Sequence, residues 1–207
     1  MLGYTCLNPV ALLVKVQIFV GNSSYIVLDK DYCFSNENDF KEGIIISQNN
    51  LIIDGCGHTI SGECQARAFI ILGNNVTILN LNFINCYVFA ADGGAINWLG
   101  SKGKLFNCSF SGNKAKYGPK FSEGIYNCFT GGLGGAVNLA GINNTINSCS
   151  FFNNSASIGG ALAVSGKYCT VYNSIFIANQ AILGRSFDSR VGYYSPRVNS
   201  FFRCLYM

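Results

Sequence analysis

The stretch "GGAINWLGSKGKLFNCSFSGNKA" runs from Gly93 to Ala115. It returns as "GGAVNLAGINNTINSCSFFNNSA" at Gly134–Ala156 and as "GGALAVSGKYCTVYNSIFIANQA" at Gly159–Ala181. Ala95, Ala136 and Ala161 are spaced 41 and then 25 residues apart, and so are Phe110, Phe151 and Phe176. Upstream, "NNLIID" (Asn49–Asp54) matches "NNVTIL" (Asn74–Leu79) 25 residues later, and Phe83 precedes Phe110 by 27. The unit is therefore about 25 residues, with one insertion of about 16. A period in this range signals a solenoid, a propeller or another repeat array.

Each unit reads as three short alternating runs divided by Gly or Asn, and none has the i, i+3, i+4, i+7 apolar spacing of a helix. A propeller blade needs four strands joined by hairpins in about 40–45 residues. A 25-residue coil fits an all-β, single-stranded parallel β-helix better. Ile44 to Ala181 would make about five rungs of three strands, each rung about 4.8 Å above the last. Residues 1–24 read as an N-terminal strand, a cap or a truncated segment. Residues 25–183 form the β-helix with an insertion at 116–132, and 184–207 are a non-repeat tail, either a cap or a truncation scar.

Parallel stacking puts equivalent residues over one another, so each column must suit its own neighbours. Phe83, Phe110, Phe151 and Phe176 should form an interior aromatic stack, with Ile78, Leu81, Val137 and Leu162 beside it. Asn113, Asn154 and Asn179 should form an asparagine ladder at a corner. The Gly-Gly pairs at 93–94, 134–135 and 159–160 suit a tight turn in which a Cβ would clash.

Composition agrees with many turns and little charge: 24 Gly, 3 Pro and 12 % charged residues. That excludes charge-driven disorder and a collagen-like chain. The net charge of +4 hides an asymmetry, because residues 93–207 hold two acids against ten bases. Such a half attracts anionic polysaccharide, membrane surface or nucleic acid. The lysines are scattered rather than clustered, which reads as a solvated rim, and no nucleic-acid partner is expected. No apolar run is long enough for a transmembrane helix. Val10–Val20, broken by Lys15, makes a poor signal peptide and reads equally well as a strand.

Ten cysteines invite a disulfide framework, but Cys108 and Cys149 share one column, two residues before the stacked Phe. There they pack as small hydrophobes, with a bridge between adjacent rungs as the alternative. With no CxxC and a single His, no metal is expected. Five N-x-S/T sequons begin at Asn22, Asn75, Asn107, Asn143 and Asn153, weak pointers to an exterior location in an Asn-rich repeat.

Asp54 and His58 in "DGCGHTISG" are the weak catalytic candidates, an acid and a base close in sequence. Glycosidases use paired carboxylates and calcium-assisted lyases need several oxygen ligands. Neither set is evident, with Glu63 and Arg67 the other groups in reach, so the segment reads as a strand–turn–strand corner. The insertion offers Tyr117, Phe121 and Tyr126 beside Lys116 and Lys120, a mixture suited to stacking on sugar rings. An irregular loop packed on itself is the plain alternative.

"IVLDKDYCF" (Ile26–Phe34), "NNLIIDGCGHTISG" (Asn49–Gly62), "ARAFIILGNNVTILNLNFIN" (Ala66–Asn85) and "DGGAINW" (Asp92–Trp98) together resemble the adhesin-like surface proteins of methanogenic archaea. The paired "GGA" and "FxxN" elements are similar to repeats of the polymorphic outer-membrane proteins of bacteria. The resemblance, over roughly residues 25–183, implies a right-handed, pectin-lyase-like β-helix, secreted to the cell surface as part of a larger protein, that adheres to glycans or to a host or partner cell. It implies no cofactor and carries over no catalytic residue. A polysaccharide lyase or glycoside hydrolase on the same fold is the alternative, since fold does not decide function. A structural spacer with no ligand is the third reading.

Overall fold

The computed structural model describes residues 24–34, 41–120, 128–182 and 187–189. Among them are 24 strands, mostly of three residues, and no α-helix. One sheet stacks β1 (Tyr25–Val27), β4 (Ile52–Asp54), β7 (Thr77–Leu79), β11 (Lys104–Phe106), β17 (Thr145–Asn147) and β21 (Thr170–Tyr172). A second stacks β2 (Tyr32–Cys33), β5 (Thr59–Ser61), β8 (Asn82–Ile84), β12 (Ser109–Ser111), β18 (Ser150–Phe152) and β22 (Ile175–Ile177). The third holds β3 (Ile44–Ile46), β6 (Phe69–Ile71), β10 (Ile96–Trp98), β16 (Val137–Leu139), β20 (Leu162–Val164) and β24 (Phe187–Ser189).

Every pairing in these sheets is parallel and joins a strand to its equivalent one turn away, as in Phe83↔Phe110↔Phe151↔Phe176. The chain is a parallel β-solenoid of about five turns. It differs from the three-strand expectation in one respect. A fourth sheet, β9 (Tyr87–Phe89), β13 (Lys114–Lys116), β19 (Ser155–Ala156) and β23 (Gln180–Ala181), occupies the segment between the second and third sheets. Its inward column, Val88, Ala115 and Ala156, is mostly alanine, a faint apolar signal in sequence. The insertion contributes an antiparallel hairpin, β14 (Gly118–Lys120) with β15 (Cys128–Thr130). β24, beyond residue 183, adds a sixth strand to the third sheet.

The corners explain the Asn-rich wording. Asn50, Asn75, Lys102, Asn143 and Tyr168 precede the first sheet, and all have φ between 54° and 60°. Asn80, Asn107, Ser148 and Asn173, between the first and second sheets, have φ between 51° and 54°. This left-handed region costs most side chains steric energy, and Asn tolerates it better than most. The Gly-Gly corner has a different cause. A Cβ on Gly135 would lie 2.0 Å from the Gly160 carbonyl oxygen one turn away, so the close approach of backbones excludes any side chain there.

Inside, Ile53, Ile78, Leu105 and Ile146 line one wall, Phe69, Ile96, Val137 and Leu162 another, and all are buried. Leu81 is buried beside them. Burying each such side chain is worth about 1.5–3 kcal/mol. The rings of Phe83, Phe110, Phe151 and Phe176 stack near-parallel, with centroids 4.9, 4.9 and 4.6 Å apart. Asn113 Nδ2 donates to Asn154 Oδ1 at 2.9 Å, and Asn154 Nδ2 to Asn179 Oδ1 at 2.9 Å. Asn154 Oδ1 also accepts the Asn113 backbone N–H, and Asn179 Oδ1 that of Asn154. The same amide nitrogens donate to the carbonyls of Phe83 and Phe110, so the ladder bridges turns on both sides.

Candidate functional site

Between Asp54 and Thr59 the corner is two residues longer than the equivalent one between Leu79 and Asn82. The extra residues form a turn closed by the His58 N–H donating to the Gly55 carbonyl at 2.8 Å. The turn separates the two catalytic candidates. Asp54 Oδ1 accepts from the Cys56 N–H at 2.9 Å and from Asn80 Nδ2 at 3.0 Å, while Oδ2 accepts the Tyr25 hydroxyl at 2.9 Å. Desolvation works against its charge, but these hydrogen bonds outweigh it and hold the carboxyl below its ordinary value. A general acid needs the opposite shift.

His58 is partnered elsewhere. Its Nδ1 lies 3.2 Å from Asp31 Oδ1, which also accepts the Thr59 N–H at 2.8 Å. Both side chains are about one-third exposed. Asp31 was not among the residues singled out in sequence, because "LDKD" lies in the first turn, before the repeat wording is established. Glu63 accepts the Ser61 hydroxyl. Arg67 is buried, donating to the Gly93 and Glu42 carbonyls at 3.0 and 3.2 Å. Burial lowers the pKa of its guanidinium against the opposing fields of Glu42 and Asp92. It ties turns together and presents no cation on a sheet face.

The Asp54–Asn80 contact begins a line of amides. Asn107 Nδ2 donates to Asn80 Oδ1 at 2.8 Å. Beside it, Asn82, Ser109 and Ser150 stack in register on the outer face of the second sheet, each one residue before a stacked Phe. Together with Ser148 they line a groove of about 420 Å³ that crosses successive turns and ends at Asp54. Its wall is mostly amide and hydroxyl, with Cys56, Cys108 and one carboxylate among the described lining residues. The sequence carried a signal for it, a polar residue at the same place in "LNF", "CSF" and "CSF".

Of the insertion candidates, Tyr117 follows β13 and is half-buried. Phe121 and Tyr126 lie outside the described residues. Cys86, Cys108 and Cys149 are buried free thiols, whereas Cys33 is disulfide-bonded. Desolvation pushes the Cys108 thiol well above its ordinary value. Among the described residues no three His, Cys, Asp or Glu are grouped to hold a metal ion, and no helix is long and apolar enough to cross a membrane.

Comparison with family models, with curated proteins and with solved structures found no match to this chain.

Proposed function

We propose that this chain is an adhesin-like segment of a larger secreted protein, of the archaeal surface type its wording resembles. It displays outer grooves of a β-solenoid to neutral glycans on a partner or host cell. The observation that carries the reading is the Asn80–Asn107 amide line beside the Asn82, Ser109 and Ser150 column. Amides and hydroxyls repeated from turn to turn match the repeated hydroxyls of a polysaccharide lying along the stack. A right-handed, pectin-lyase-like winding belongs to the same proposal, because strand–crossover–strand connections within a parallel sheet are right-handed in about 98 % of cases.

Binding of immobilised neutral oligosaccharides by the full chain tests this reading. Ser109→Leu with Ser150→Leu should abolish retention while leaving the fold intact, since both side chains face outward. Retention unchanged by that double substitution, or no retention by the parent chain, would refute the groove.

A second reading, a polysaccharide lyase or glycoside hydrolase, draws on the His58–Asp31 pair at 3.2 Å, since a carboxylate-oriented imidazole is a common general base. New reducing ends or unsaturated products that vanish in His58→Ala would replace the adhesin reading with this one.

A further inference from the structure

We propose a second binding site on the outer face of the fourth sheet, specific for a carboxylated sugar unit of an acidic polysaccharide. The fourth sheet places Lys116 over Phe89, and Lys114 between Tyr87 and Ser155, with Gln180 beyond. Lys114 and Lys116 both point outward because Ala115 between them is buried. A groove of about 520 Å³ runs along this face over four turns, flanked by Tyr117 where the hairpin leaves the solenoid.

Three features fit one ligand. Phe89 is 55 % exposed beside the lysines, an apolar platform for the C–H face of a pyranose ring. Lys114 and Lys116 supply the positive charge, and neither is ion-paired among the described residues. Described residues between 93 and 182 include no Asp or Glu, so among them no acid competes with an incoming carboxylate. Ser157 lines the groove at 4 % exposure, and its buried hydroxyl has no hydrogen-bond partner. A buried polar group without a partner is costly, and a sugar hydroxyl would satisfy it. A neutral sugar would use the platform and the hydroxyl but leave both ammonium groups unanswered. A bare anion would leave the platform empty.

This site shares no residue with the polar groove of the second sheet, so either proposal can fail alone. The test titrates the full chain with tetraglucuronate and with the glucose tetramer of the same linkage, which lacks only the carboxylates. Tetraglucuronate should bind in preference, with affinity falling as salt is raised. Lys114→Gln with Lys116→Gln should weaken it roughly tenfold or more, allowing for solvent screening of exposed charges. Phe89→Ala should weaken tetraglucuronate, and Ser109→Leu with Ser150→Leu should leave tetraglucuronate binding unchanged. Equal affinity for the two tetramers, or insensitivity to the lysine substitutions, would overturn the assignment. Inorganic sulfate competing as well as tetraglucuronate would also overturn it, by showing an anion site with no sugar specificity.

Discussion

Asn113 and Asn154 are 41 residues apart in sequence, yet the side-chain nitrogen of one donates to the side-chain oxygen of the other across 2.9 Å of buried interior. Asn154 in turn holds the Phe110 carbonyl at 3.1 Å and Asn179 Oδ1 at 2.9 Å. Replacing Asn154 with Ala orphans the Asn113 N–H, while the Phe110 carbonyl keeps its place in the ladder between β12 and β18. A buried group left unpaired costs about 1–3 kcal/mol, so urea denaturation should show a loss of that size. A loss below about 1 kcal/mol would mean that the ladder only decorates the corner.

The phenylalanine column makes a graded prediction. Phe110 touches rings on both sides at 4.9 Å. Phe110→Ala should cost about 3–5 kcal/mol, and Phe110→Leu, which leaves a smaller cavity, distinctly less. Equal costs would show that the interior collapses around the vacancy rather than staying in register.

Two glycines separate crowding from backbone strain. Gly135→Ala drives a Cβ to within 2.0 Å of a carbonyl oxygen in the next turn and should prevent stable folding. Gly57 has φ +82° and open space around its missing Cβ, so Gly57→Ala should cost only about 1–2 kcal/mol. Thermal melts of the two variants check the contrast, and similar melting temperatures would contradict it.

Asp54 predicts a pH signature. Its folded pKa lies below the ordinary value because the hydrogen bonds to the charged form outweigh desolvation. The stability it contributes is therefore present above the unfolded carboxyl pKa of about 3.9 and is lost as pH falls through the folded value. The stability gap between the native chain and Asp54→Asn should be constant near neutrality and close below about pH 4. A gap independent of pH would remove the charge from the explanation.

Thiol labelling reads the interior independently. Burial pushes Cys86 up to about 12 and raises Cys108, while Cys64 is exposed. Iodoacetamide under native conditions should modify Cys64 long before Cys86, Cys108 or Cys149, as mass spectrometry of the peptides will show. Early modification of Cys108 would place that column outside.

The solenoid was legible because repetition is a long-range constraint written locally: one sheet position, read at Ala95, Ala136 and Ala161, gives the register of all. Pairing across a corner is not periodic, and there sequence reading ran out. His58 could be set beside Asp54 by proximity along the chain, but its bond to Asp31 spans 27 residues of the least regular turn. Arg67, in reach of Asp54 and His58 along the chain, is buried and donates instead to carbonyls at Glu42 and Gly93. The fourth sheet, and the Phe89–Lys116 register with it, turns mostly alanine inward, at Ala115 and Ala156, so its apolar face is faint in sequence.

The account rests on saccharides binding the outer face of the stack, and residue-resolved NMR of the full chain during oligosaccharide titration tests that most directly. Neutral oligosaccharide should shift the amides around Asn82, Ser109 and Ser150, and tetraglucuronate those around Phe89, Lys114 and Ser157. Spectra unchanged by both sugars, or shifts confined to other faces, would contradict it.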